Sequence, residues 1–366
     1  RQRSSKLWDG LSRVLMTMCS GVVFMENKIW IALAVAILAS ATPAQAQYQW
    51  TSGRPDGSAP IGVMGEQTNS KGEFTLSYRF MQMSMADSRQ GTNTVATASV
   101  LNSFLVSPTS TDITMHMPGI MFALSDRVTL MGMVNYVDKS MLHVTRSNTN
   151  FTAESSGLGD ASLSALIGLK QSGSIRAHLN AGISIPTGSI EETGVNPTSN
   201  GNAVQMPYPM QLGSGTVDLM PGLTILGMSE SWSWGVQGRA TLRMGETDRE
   251  YTAGNVTEGT AWLALKVMDR LSVSARVMAR NWDDYEGHDT AFTNPMMNPA
   301  IREDLRGGTR VDVPLGFNYF FNGGPLKGHR LGAEWTIPVY HDLHGPQLGS
   351  NWGLTIGWQK SFEPIG

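Results

Sequence analysis

"LSVSARVMA", Leu271 to Ala279, is the stretch whose reading decides the fold. Leu271, Val273, Ala275, Val277 and Ala279 fall on one side of an extended chain; Ser272, Ser274, Arg276 and Met278 fall on the other. Successive side chains of a β-strand point to opposite faces, so this alternation marks a strand with one apolar face. The pattern recurs. Ile175, Ala177, Leu179, Ala181, Ile183 and Ile185 alternate with Arg176, His178, Asn180 and Ser184. Val311, Val313, Leu315, Phe317, Tyr319 and Phe321 alternate with Arg310, Asp312 and Asn318. Leu331, Ala333, Trp335, Ile337 and Val339 alternate with Arg330, Glu334 and Thr336. Helical spacing is almost absent beyond Gln47.

Outward from that stretch the chain yields about twelve such segments. They span Glu73–Met85, Asp112–Leu124, Val128–Val137, Gly157–Lys170, Ser174–Thr187, Leu212–Leu226, Ser231–Gly245, Glu258–Met268, Leu271–Trp282, Thr309–Phe321, His329–Tyr340 and Asn351–Phe362. Many exceed the usual soluble strand and reach the roughly 9–11 residues that cross a bilayer at a tilt. The connections alternate in length. Ser125–Arg127, Gln171–Ser174, Met228–Ser231 and Asp269–Arg270 are tight, and Asn322–Gly328 is somewhat longer. Ala86–Thr111, Asp138–Ser156, Gly188–Gln211, Glu246–Thr257 and Asp283–Gly308 are long and polar. Short turns at one end and long loops at the other are the layout of an outer-membrane barrel. The expected fold is all-β: a transmembrane antiparallel up-and-down β-barrel of about twelve strands. Lipid offers backbone groups no partners, so such a sheet must close on itself.

Composition agrees. Only 16% of the 366 residues are charged, mean hydropathy is −0.15 and glycine occurs 40 times. Alternating strands average to neutral hydropathy. A formal charge of −3 gives no electrostatic case for nucleic acid. The one cysteine, Cys19, precedes the expected mature chain, so disulfides and thiol chemistry are not available there. With no phosphate loop and no cysteine metal site, no cofactor is expected.

Met25–Gln47, "MENKIWIALAVAILASATPAQAQ", has a basic start at Lys28, an apolar run Ile29–Ala41 and an A-x-A site at Ala44–Ala46. That is the layout of a secretory signal peptide, and the run is too short to span as a helix. The expected organisation is therefore an upstream translated segment at 1–24 and a signal peptide at 25–46. An N-terminal segment at 47–72 follows, expected to enter the lumen from the periplasmic side as a partial plug. The barrel takes 73–362 and a short tail 363–366.

The last strand, "NWGLTIGWQKSF", places Trp352, Leu354, Ile356, Trp358 and Phe362 on one face. Alternate aromatics ending in Phe resemble the signal read by barrel-insertion machinery. Trp232, Trp234, Trp335, Tyr319 and Phe321 fall near strand ends on apolar faces, where an aromatic girdle meets the lipid interface.

"APIGVMGE" (Ala59–Glu66) followed by "KGEFTLSYRFMQM" (Lys71–Met83) resembles the start of a group of bacterial outer-membrane barrels labelled as transporters. The group is related to the barrel associated with the meta-cleavage pathway of phenol degradation. "SSGLGDASLSAL", "ISIPTGSI", "YPMQLGSGTVDLMPGLT" and "GPQLGSNWGLTIGWQKSF" fit the same group, so the resemblance covers roughly Ala59 to Phe362. It implies a barrel in the outer membrane that passes small solutes, hydrophobic or aromatic ones first. Members often carry His near the positions of Gln67 and Asn69; the lack of His here speaks against a metal role for that segment.

Ionisable groups in a membrane protein line a cavity or pair with each other. By parity the inward set is Arg79, Asp160, Lys170, Arg176, Asp218, Arg239, Arg243, Lys266, Arg276, Arg280, Arg310, Asp312 and Glu334. Basic groups prevail, and Arg239, Arg243, Arg276 and Arg280 form a positive stripe that favours anionic solutes. The alternative is a packed polar core of Arg–carboxylate pairs in a narrow barrel. Met81, Met83 and Met85 share the face of Arg79, and Met131 and Met133 face inward beside them; the parity of Met115, Met117 and Met121 is ambiguous. A thioether wall passes flexible apolar solutes, ligates Cu(I), or simply fills gaps.

Enzyme readings are weaker. Ser199 in "TSNG" has no His two residues before it. His341 and His344 flank Asp342 without a nucleophile, and Asp283, Asp284, Glu286, His288 and Asp289 read as a solvated loop cluster. The expected partners are outer-membrane lipid, the insertion machinery and a small solute. A largely closed barrel that binds a ligand or metal, or serves a structural role, is the alternative.

Overall fold

The computed structural model describes residues 50–197 and 199–362; the expected signal peptide, the segment before it and the tail at 363–366 lie outside the described residues. The chain builds β1 Phe74–Gly91, helix α1 Thr97–Ser103, β2 Val106–Ser125, β3 Val128–Met133, β4 Tyr136–Thr145, β5 Asn150–Leu158 and β6 Ala161–Lys170. It continues with β7 Ile175–Ile185, β8 Val217–Met228, β9 Trp232–Met244, β10 Val256–Met268, β11 Leu271–Trp282, β12 Gly308–Phe320 and β13 His329–Phe362.

Strands pair antiparallel around a closed ring, β1-β13-β12-β11-β10-β9-β8-β7-β6-β3-β2, with β2 returning to β1. At the seam Phe74 stands opposite both Phe362 and Phe122. No backbone edge is left at the level of lipid, which is the condition for crossing a bilayer with strands.

The ring has eleven members as continuous strands, yet every neighbouring pair is antiparallel. A closed ring of strictly antiparallel neighbours needs an even number of passes. The 34 residues of β13 resolve this. Held straight they would reach ~110 Å at roughly 3.3 Å per residue. Instead Trp335 and Trp352 stack at 4.9 Å, and Trp358 Nε1 donates to His329 Nδ1 at 2.9 Å. β13 therefore doubles back near Leu343, the residue paired with both Gly308 and Gly91. Twelve passes result.

Alternation sorts the side chains as expected. Large apolar residues on the outer faces stay exposed: Leu76, Ile120, Phe122, Leu163, Ile183, Leu219, Leu263, Leu315, Leu331 and Ile337 among them. Polar residues of opposite parity are buried inside, including Thr75, Thr129, His178, Thr224, Ser272 and Asn318. A surface this apolar is the one that acyl chains solvate.

The long connections differ in part from expectation. Asp138–Ser156 is not a loop: β4 and β5 pair as a hairpin joined by Arg146–Thr149. Beyond the lipid level both faces of a strand tolerate polar groups, so the alternation that marks strands fades. The hairpin is offset from the strands below by interruptions at Val134–Asn135 and Gly159–Asp160. β7 pairs with β6 but not β5, which leaves β5 with one strand partner. Residues 186–216 cover that edge: Ser155 Oγ donates to Met210 O at 2.7 Å, and Lys139 Nζ donates to Pro209 O at 2.9 Å.

Residues 50–72 hold no strand or helix and run inside the ring at the short-turn end. Their backbone is satisfied by inward side chains from around the wall. Arg79 Nε donates to Ile61 O (3.0 Å), His178 Nε2 meets Gly65 O (2.8 Å), and Gln237 Nε2 donates to Met64 O (2.9 Å). Ser272 Oγ donates to Pro55 O (2.9 Å), while Asn69 N donates to Thr129 Oγ1 (3.0 Å). Ala59 and Val63 pack with Trp50, Leu226, Met228 and Trp262 in an apolar cluster.

Candidate functional site: a lumen of arginines and thioethers

The inward charged residues occupy two layers. In the lower layer they hold the N-terminal segment. Arg276 forks onto Glu334, with Nε to Oε1 at 2.8 Å and Nη2 to Oε2 at 3.0 Å, and Gly62 N donates to the same Oε2 at 2.9 Å. Arg330 reaches Glu66 at 3.2 Å and also bonds Ala59 O, Asn318 and Gln359. Arg176 lies over the Trp50 ring at 4.2 Å. Arg79 is buried against Ile61 O. These groups are consumed in positioning the segment. Arg276, which parity places in a positive stripe, is neutralised by Glu334.

Three predicted residues stand apart. Lys266 pairs with Asp269 at 2.9 Å in the β10–β11 turn. There the ion pair holds the Asp269 carboxyl below its usual range. The Asp160 carboxylate accepts Gly188 N at 3.0 Å and Ser214 N at 2.8 Å, tying down both ends of the 186–216 connection. Lys170 departs from its expected inward place. The register shifts between Gly168 and Lys170, so Lys170 stands opposite Ala177 rather than on the face of His178. One extra residue reverses every following side chain.

The upper layer is the lumen proper. Asp218 bonds Arg243 and accepts Thr216 Oγ1 at 2.7 Å; Arg310 Nε donates to Asp312 Oδ2 at 2.9 Å. Across five strands the register sets Arg239 opposite Glu258, Glu258 opposite Arg280, Arg280 opposite Arg310, and Arg310 opposite His341. Directly opposite residues of a sheet point to one side. They form one row around the inner wall, about 13 Å along β11 from the Arg276 layer at roughly 3.3 Å per residue. Arg239 and Arg280 make no hydrogen bond among the described residues, and Arg280 is exposed although it faces inward.

Beside this row lies the methionine wall. Met81, Met83, Met85, Met131 and Met133 are all partly buried on inward parity. Exposed Ile120, Phe122 and Leu124 fix β2, so Met115, Met117 and Met121 face inward too. Met81 stands opposite Met115, and Met121 opposite both Thr75 and Met131. The wall touches the arginine row: Met83 Sδ is 4.0 Å from Arg310 Nη1. Met278 joins from β11, its Sδ 3.4 Å from Arg276 Nη1.

Sequence reasoning left Glu258 out of the inward set, put Met278 on the polar face without adding it to the methionine wall, and met His341 only beside Asp342 near a loop. Parity with Lys266 points to Glu258, and parity with Arg276 points to Met278. His341 is visible only through register, because it falls in the reversal of β13.

At the long-loop end, Tyr208, Tyr251, Phe292 and Ile301 cluster with Tyr285 and Met297. Tyr208 Oη donates to Glu303 at 2.8 Å and accepts from Asp289 N at 3.1 Å. Burial pushes both the Tyr208 and the Tyr251 phenols well above the ordinary value. Asp284, Asp289 and Glu303 of this region hold structure. Arg249 grips Asp289 at 2.7 and 2.8 Å, Asp284 accepts Arg306 N and His344 Nδ1, and His288 meets Glu303 at 2.6 Å. Ser199 Oγ is engaged by Asn196 O at 2.9 Å.

No family model matches the chain, and no curated relative does. Among solved structures it is similar to an outer-membrane channel from Pseudomonas putida F1, with 12% identity, a TM-score of 0.56, and 82% of this chain and 100% of that one covered. A FadL homologue of Pseudomonas aeruginosa aligns over 80% of this chain and 89% of that one at 12% identity and a TM-score of 0.39. The P. putida toluene transporter TodX aligns over 80% and 91% at 10% identity and a TM-score of 0.39. The first likeness shows the fold: this chain shares the closed antiparallel barrel of an outer-membrane channel.

Proposed function

We propose that this barrel resides in the bacterial outer membrane after signal-peptide export and lets a small solute cross passively. The observation that carries the reading is the row Arg239–Glu258–Arg280–Arg310, water-accessible inside a wall whose outer face is apolar. A protein that needed only to fold would have paired or removed Arg280, because an inward charge with no hydrogen-bond partner is retained at a cost. The thioethers beside it suit hydrophobic or aromatic bodies. The alternate aromatics of the last strand, ending at Phe362 opposite Phe74 at the seam, support its reading by insertion machinery.

Single-channel conductance of the folded protein in a planar bilayer tests this. Discrete steps with anion preference support passage. Silence from a correctly folded barrel favours the second reading, a closed ligand-binding barrel, for which the segment at one end and the aromatic loop cluster at the other both speak.

A further inference from the structure

We infer that the Arg280–Arg310 pair, flanked by Met83 and Met278, binds organic monocarboxylates with an apolar body, of the aromatic or branched aliphatic kind. The inference deepens the passage reading and rests on it for its biological sense, though not for its test.

Three features meet at one place. The first is charge. Arg280 and Arg310 stand directly opposite in the register of β11 and β12. Like charges so placed repel. Arg310 has Asp312 at 2.9 Å, but Arg280 has no hydrogen bond among the described residues and only feels the charges of Glu258 and Asp312 from nearby. Arg239 and Arg243 add to the positive field around it. An anion between the two guanidinium groups relieves that repulsion.

The second is geometry. A guanidinium is a planar fork that matches a carboxylate with two parallel hydrogen bonds. Arg276 already does this with Glu334 one layer below, which shows the spacing of the wall to be compatible with the pairing. Arg280 carries the same fork on the same strand, and among the described residues no carboxylate is hydrogen-bonded to it.

The third is the neighbouring surface. Met83 Sδ lies 4.0 Å from Arg310, and Met278 sits between Arg276 and Arg280 on β11. Thioether side chains are flexible and polarisable, so they fit apolar bodies of varied outline and favour aromatic rings. An inorganic anion would use the arginines and gain nothing from the methionines. A neutral hydrocarbon would do the reverse. An apolar carboxylate uses both. Glu258 and Asp312 keep the site from holding its anion too tightly, as transit requires.

The test is 19F NMR titration of the whole protein, folded in detergent, with 4-fluorobenzoate and with its neutral isostere 4-fluorobenzamide. Folding is checked by heat-modifiable migration. The acid should saturate and bind at least about tenfold more tightly than the amide, because hydrogen bonds to charged groups are the stronger ones. Arg280→Gln and Arg310→Gln should each abolish most of that preference. Met83→Ser with Met278→Ser should weaken 4-fluorobenzoate while leaving acetate, which lacks an apolar body, unchanged. Equal binding of acid and amide, or Arg280→Gln binding like the parent, overturns the site. Should Arg280→Gln fail to fold, the comparison of acid with amide on the parent protein still decides, and Arg280→Lys, which keeps the charge and loses the fork, should fall between. Conductance is recorded in parallel. A silent barrel that binds the acid on these arginines refutes passage and keeps the site; a conducting one indifferent to the acid refutes the site and keeps passage.

Discussion

Arg276 and Glu334 are almost fully buried and hydrogen-bonded twice to each other. Removing one partner leaves the other charge stranded in the interior. Glu334→Leu should cost about 3–5 kcal/mol, read as a lower midpoint for unfolding in detergent and urea. The double variant Arg276→Met with Glu334→Leu should regain most of it, since the loss comes from the unpaired charge. At the opposite end Tyr208 makes a pH prediction. Its phenol is raised in the folded protein, chiefly by burial. The folded state therefore favours the protonated form, and this stability is complete below the ordinary value of about 10 and lost progressively as pH rises above it. Protease resistance of residues 283–307 should fall above that pH, and less so in Tyr208→Phe, which cannot ionise.

Among the elements, the N-terminal segment is the most sharply constrained. A Cβ on Gly62 would collide with the Glu334 carboxylate and lie 2.7 Å from Arg276 Nη2. Gly62→Val should lift the segment from its seat and raise conductance several-fold with little effect on the strands; unchanged conductance would show that the segment does not limit flow. Strand positions and the inward faces were legible because period two survives wherever one face meets lipid. The signal failed where physics removed it. β4 and β5 stand beyond the lipid, so Asp138–Ser156 carries no apolar face to find. Met115, Met117 and Met121 were ambiguous because His116 and Pro118 share the outward face of β2, and His116 is made tolerable there by Tyr78 Oη at 2.6 Å. Lys170 was misplaced by a bulge, which leaves no trace in a parity count. The arginine row was readable strand by strand, but not as a row: only register tells which of the inward arginines stand at one height, and which are already spoken for.

On the scale of the whole molecule, antiparallel closure demands an even count, and the reversal within β13 supplies it. The stacked Trp335 and Trp352 place Ala333 beside Leu354 across that reversal. With Cys19 changed to Ser, cysteines introduced at Ala333 and Leu354 should cross-link readily in the folded barrel. Failure to cross-link would argue against the twelve-pass ring. Both faces of the wall then follow from one rule of alternation, and the lumen inherits whatever the outward pattern leaves over.

What it inherits on one side is sulfur. Met81, Met83, Met85, Met131 and Met133 are only partly buried, on the face that water reaches. A thioether takes up oxygen to become a sulfoxide, which is polar and chiral, and reductases can reverse the change. Peroxide or hypochlorite that enters the lumen would therefore rewrite the wall from apolar to hydrogen-bond accepting, and the barrel would carry a chemical record of oxidative exposure.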